Sequence, residues 1–280
     1  MSDSTLPEVL RILHQEHKYE QIPPKAINKL LYLIDKKSSS YNTDLSIPYF
    51  WYMFGTVVRT DFGEFSGSIT VGDNHAHSES DSGVRAIVAD VLEHYYDSCL
   101  EEITDETYRD APYSVQQNWR VLDKMLRTLH RDYNSFYEVE PSQGEIRSRV
   151  DTVYDSFPIS SFPEHEDDIL DWYCIMMREL NAPTRDVDRL MDANLAFWRV
   201  FSLSVAEQHR KGLSKDDVRS ILGIKEFEDA RDESRGVLES VENNALEDRF
   251  SDEDEATLLA NAADSVAMSV VTNPLIPESG

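Results

Sequence analysis

Few residues in this 280-residue sequence are spaced as catalytic groups are. His75-x-His77, with Glu93 and His94 further on, offers two or three imidazoles and a carboxylate, a donor set that zinc or another divalent ion accepts. Asp73, Glu79 and Asp81 crowd the same stretch, so it reads as a solvated polar loop without a metal. His14 and His17 stand one helical turn apart, and two ligands alone hold an ion poorly. His130-Arg131-Asp132 has the order of a kinase triplet, but Tyr137 stands where that motif needs asparagine and no glycine-rich loop accompanies it. The triplet reads instead as the basic carbonyl end of an amphipathic helix. G-x-G-x-x-G, G-x-x-x-x-G-K, H-E-x-x-H and G-x-S-x-G are all missing. No catalytic residue, metal or cofactor is therefore assigned, and the expectation is a protein that is not an enzyme.

The residue types that do stand out suit binding. Ala26 to Asp35 is an amphipathic helix pattern with Lys29 and Tyr32 beside its apolar stripe. Tyr49-Phe50-Trp51-Tyr52 follows, and the run closes on a glycine turn at Gly55. Four successive aromatics exceed what a solvent-facing loop tolerates, so Phe50 and Trp51 are expected to pack on the 26–35 helix. Tyrosine and tryptophan also anchor protein interfaces. Lys29, Tyr32, Tyr49, Phe50, Trp51, Tyr52 and Gly55 are accordingly the candidate partner-binding residues.

Around them the chain is patterned mainly as helices. Apolar stripes mark helices over 6–13, 26–37, 84–99, 114–133, 143–155, 165–180, 184–210 and 225–247. A capping-box spacing at Ser142/Glu145 opens the 143–155 stretch, and another at Ser214/Asp217 opens a further short helix through Val218, Ile221 and Leu222 that Gly223 stops. Residues 41–83 hold five of the ten glycines and read as loops, with short extended pieces near 56–59 and 68–71. A last stripe over 256–271 must cover its own domain or a second copy. The fold class is all-α or mainly α: a multi-helix globular bundle with a loop-rich aromatic and glycine segment at 41–83. A boundary near 156–164 divides it into 1–157 and 158–280, unless the whole is one domain.

Composition narrows the setting. Acidic residues number 53 against 27 basic, for a net charge of −26. Such a charge repels itself in ordinary salt, and it fits a salt-in cytosol such as that of an extreme halophile, where screening is strong. Nucleic acid is disfavoured as a partner. Leu213 to Ile224 resembles the first half of a helix-turn-helix, but Glu226, Glu228 and Asp229 stand where a recognition helix needs base-reading side chains. Cys99 and Cys174 lie in apolar helical patterns and read as core residues of a reducing, cytoplasmic protein. No signal peptide or membrane span is read.

The pairing of Lys29-Leu-Leu-Tyr-Leu-Ile-Asp35 with Phe50, Trp51, Tyr52, Gly55, Val57 and Val58 resembles the Panacea domain of SocA-type antitoxins. That family carries a K-L-L-Y-[LF]-x-D helix followed by an aromatic segment closing on G-P-V. Thr56 stands here in place of the proline, and the likeness covers about 35 residues. It implies a mainly helical interaction domain over 1–157 without catalytic residues, one that neutralises a toxin by binding it or presents a partner to a protease. The expected function is antitoxin-like binding of a protein partner. The alternatives are a viral or defence assembly protein that self-associates through 256–271, and a transcriptional regulator using 213–231.

Overall fold

The computed structural model describes residues 5–16, 22–58, 79–95, 98–130, 140–182 and 186–252. Ten helices and one small sheet lie among these residues. The helices are α1 (Thr5–Glu16), α2 (Pro24–Ser38), α3 (Glu79–Tyr95), α4 (Leu100–Tyr108), α5 (Ser114–His130), α6 (Gln143–Asp155), α7 (Glu166–Asn181), α8 (Val187–Gln208), α9 (Lys215–Leu222) and α10 (Phe227–Asp252). The sheet holds β1 (Tyr49–Tyr52), β2 (Gly55–Val58) and β3 (Arg210–Lys211) in the order β2-β1-β3, with both pairings antiparallel. The chain is thus mainly α.

Local signals set most helix ends. Proline opens α2 where its missing N–H is not needed. Ser142 and Ser214 accept hydrogen bonds from the Glu145 and Asp217 backbone N–H groups, and those two side chains reach back, closing both capping boxes. Gly223 ends α9 at φ +67, a left-handed conformation that costs glycine little.

Elsewhere the structure departs from the sequence pattern. The stretch read as one helix to residue 99 ends at Tyr95, and α4 starts anew after Cys99, whose N–H is taken by Glu102 Oε2 at 2.9 Å. The aromatic run read as part of a loop-rich segment is strand β1, whose residues fill both faces of the sheet. β2 falls close to the extended piece expected near 56–59. The helix read to residue 210 stops at Gln208, because His209 leaves helical geometry and the next two residues pair with β1. Cys99 and Cys174 are exposed, not core. The start of the stretch read as a helix over 184–210, together with Arg131, Asp132, His17, His75, His77, the 68–71 piece and the 256–271 stripe, lies outside the described residues, as does the His14 side chain.

α8 sits at the centre, packed against α5, α7, α10 and β1. One continuous set of buried apolar side chains runs from Leu6 in α1 to Val241 in α10, across the position where a boundary was read. The Trp119 ring of α5 stacks on the Trp198 ring of α8, centroids 4.2 Å apart and planes at 5°. A smaller cluster gathers Phe50, Leu203, Ala206, Val218, Phe227 and Ala230. No described helix is long and apolar enough to cross a membrane.

Candidate functional site

Lys29, Tyr32 and Asp35 are spaced i, i+3, i+6, which puts them on one face of α2. Along that face they meet the three strands in sheet order. Lys29 Nζ donates to the Thr56 carbonyl of β2 at 3.3 Å, and the neighbouring Asn28 Oδ1 accepts from the Val58 N–H at 2.9 Å. The Tyr32 ring meets Tyr49 and Trp51 of β1 edge-on, at 5.1 and 5.8 Å between centroids. Asp35 Oδ1 accepts from the Ile47 N–H at 3.0 Å, and its Oδ2 pairs with Lys211 Nζ of β3 at 2.8 Å. The lysine-tyrosine-aspartate pattern is thus a clamp for the sheet.

The hairpin turn is held from two other helices. The Met53 carbonyl accepts from Tyr108 Oη of α4 at 2.6 Å and from Trp198 Nε1 of α8 at 2.7 Å. Gly55 follows the turn at φ +102, a backbone angle that side-chain-bearing residues rarely adopt.

Of the candidate residues, Lys29, Tyr32, Phe50, Trp51 and Gly55 are buried, while Tyr49 and Tyr52 are half-buried. Phe50 turns away from α2 and enters the smaller cluster with Leu203 and Val218, because successive strand residues face opposite sides. Trp51 takes the α2 side as expected. Burial, with Lys25 and Arg120 nearby, lowers the Lys29 amine to about 8. Burial, joined by the Asp110 carboxylate, raises the Tyr32 hydroxyl well above the usual tyrosine range.

Two helices beside the turn carry net positive charge, with most of their cations paired to neighbouring carboxylates. α2 carries four lysines against one aspartate, and α5 two arginines and one lysine against one aspartate. The other eight helices are neutral or acidic. The two basic helices converge on Phe54, with Lys25 Nζ 5.7 Å and Arg127 Cζ 5.6 Å from its ring centre. Next to them α4 and α5 border an open cleft of about 700 Å³, with Val121, Met125, Tyr108 and Pro141 among its apolar lining and Arg109, Arg120 and Lys124 among its cations.

A second constellation carried no sequence signal. His165 Nδ1 lies 2.7 Å from Asp168 Oδ2, and its Nε2 lies 2.7 Å from Ser204 Oγ. These distances are those of a serine nucleophile and its base. Ser204 is only 2 % exposed, however, and lines neither the α4–α5 cleft nor the smaller cleft between α2 and α3. Its oxygen also accepts from Arg231 Nη1 at 3.0 Å. One set of protons satisfies every atom: Arg231 donates to Ser204, Ser204 to His165, and His165 to Asp168. Arg235 completes the network with two hydrogen bonds to Asp168, at 2.8 and 3.0 Å. Burial pushes the Asp168 carboxyl up, but the hydrogen bonds from His165 and Arg235 outweigh it and hold the group down at about 2. The arrangement ties α7 and α8 to α10.

The remaining sequence candidates are separate from both places. His94 is exposed and lies edge-on to Tyr95 at 4.6 Å. Among the described residues no group of three metal-ligating side chains gathers. Within the helix-turn-helix-like segment, Val218 is buried in the smaller cluster, and Arg219 pairs with Asp216 and Glu226.

Comparison with family models, curated proteins and solved structures finds no match to this chain.

Proposed function

We propose that this chain is an antitoxin-like protein of a salt-rich cytoplasm that acts by covering a partner protein's surface rather than by catalysis. One observation supports the reading above the others. The Panacea-like residues of α2 hold the aromatic hairpin rigidly and leave Tyr49, Tyr52, Met53 and Phe54 part-exposed on it. Aromatic side chains fixed in advance lose little freedom on binding, which is what a protein-binding surface needs.

The test is purification of the tagged chain in concentrated KCl, followed by mass spectrometry of what co-elutes. A single stoichiometric protein, toxic when expressed alone, is the expected result. A clean homo-oligomer with no partner overturns the reading and turns attention to 256–271.

A further inference from the structure

We infer that the contact between α2 and β2 holds a small inorganic anion, chloride, between the Lys29 ammonium and the Thr56 hydroxyl. Both groups have hydrogen bonds left to make. An ammonium carries three donors, and among the described residues Lys29 Nζ uses one, at 3.3 Å to the Thr56 carbonyl. Lys29 is only 5 % exposed, so bulk water does not serve the other two. Thr56 is fully buried, and its Oγ1 has no partner among the described residues. The two side chains share one side of the sheet. Thr56 stands opposite Trp51 in the β1–β2 register, so both face α2, where Trp51 meets Tyr32.

Charge and space define what is missing. On α2, Lys36 pairs with Asp110 and Lys37 with Asp90, and Asp35 at the far end of the clamp pairs with Lys211. Lys29 has no carboxylate within ion-pair distance among the described residues. The charges that act on it, Lys25 and Arg120, are both positive. A buried cation needs an anion or aligned dipoles to offset its lost hydration, and one long hydrogen bond to a carbonyl is a small offset. Gly55 sets the size of the anion. A Cβ there would stand 3.2 Å from Nζ and 3.5 Å from Thr107 Cγ2, so the clearance beside the ammonium is one atom deep. That suits a monatomic ion accepting from Nζ and Thr56 Oγ1, and it is too shallow for phosphate or sulfate.

The site stands apart from the protein-binding reading and is tested without a partner. Chloride replaces gluconate, an anion too large for this clearance, at fixed potassium and neutral pH, and urea melts of the full chain are read. An ion held only by the folded chain raises its folding constant about tenfold per tenfold of chloride once the site is filled. The expected result is this rise in the wild type relative to Lys29→Met, which shares every general effect of the salt but lacks the ammonium. The wild-type rise is also expected to fade above about pH 8, where the amine is neutral. Thr56→Val keeps the branched shape and removes the hydroxyl. If Oγ1 bonds the ion, the variant's chloride response is about threefold smaller or less; if Oγ1 bonds nothing, the response stays whole. A crystal grown in bromide is expected to show an anomalous peak within hydrogen-bond reach of Nζ. Equal chloride slopes for wild type and Lys29→Met, an undiminished response in Thr56→Val, or a water in place of the bromide peak overturns the inference.

Discussion

Lys29 and Gly55 are fitted to each other across the α2–hairpin contact. A Cβ placed on Gly55 lies 3.2 Å from Lys29 Nζ and 3.4 Å from its Cε, and the lysine donates to the carbonyl of the very next residue. Gly55→Ala therefore meets two penalties, a crowded ammonium and a positive φ. The lysine end can swing aside, but the backbone angle cannot relax without moving the turn. Gly55→Ala is expected to cost about 1–3 kcal/mol, most of which persists in a Lys29→Ala background. Urea melts of the two single variants and the double variant check this, and a double variant as stable as Lys29→Ala alone refutes it.

The lowered amine of Lys29 makes stability rise with pH over a definite window. Below about 8 the folded chain holds a buried charge; between there and 10.5 the unfolded chain keeps a proton that the folded one has lost. Lys29→Met removes the effect. The variant is expected to gain on the wild type at pH 7, with the gap closing by about 3 kcal/mol as pH approaches the unfolded lysine value. Denaturant midpoints of both proteins at several pH values read it directly, and parallel pH curves would refute it.

Asp168 also makes stability rise with pH, but in the acid range and by stabilising the folded chain when charged. Its carboxyl sits at about 2 in the folded chain against 3.8 ordinarily, so its contribution is complete above about pH 4 and is lost as pH falls through 3.8 towards 2. The amount is about 2 kcal/mol. Asp168→Asn abolishes this acid dependence and costs about 3–5 kcal/mol at neutral pH, because Arg235 and His165 lose their charged partner. Ser204→Ala costs about 1–3 kcal/mol by orphaning His165 Nε2. Acid titrations of stability separate the two: the serine variant keeps the pH dependence and the asparagine variant does not.

The stacked Trp119 and Trp198 rings belong to opposite sides of the boundary read near residue 157. A fragment comprising 1–157 loses α8, and with it the partner of Trp119 and one of the two donors to the Met53 carbonyl. It is expected to lack a cooperative melt, while the full chain unfolds in one transition. A fragment with a sharp melt of its own contradicts this.

Both cysteines face solvent. Two thiols per chain are expected to react with iodoacetamide in the folded state at similar rates. Protection of either until denaturant is added refutes that placement.

What the sequence disclosed follows the range of the forces involved. The boxes at Ser142 and Ser214 close within four residues, so their letters suffice. The strand β1 was hidden because Tyr49 to Tyr52 are aromatic at every position, and a strand buried on both faces shows no alternation. Arg210 and Lys211 become a strand only because β1 lies beside them. Cys99 and Cys174 carry small apolar side chains whose exposure depends on which way each helix is turned in the assembled bundle. Within the site, Lys29 and Tyr32 stood out beside the apolar stripe of α2, but what that face meets, three strands drawn from 49–58 and 210–211, is a tertiary fact. His165 and Ser204 are 39 residues apart, and neither has a local pattern that announces the other.

The hydrogen bonds from Asn28 and Lys29 to β2 have one more consequence. In a bare sheet, the outward Val58 N–H and Thr56 carbonyl of this outer strand form a template on which a foreign strand can be laid. Here helix side chains fill both positions. A second copy or a partner strand laid along this border has to displace both bonds first. What the sheet offers on this side is the surface of its residues, so recognition along this border is confined to shape and charge.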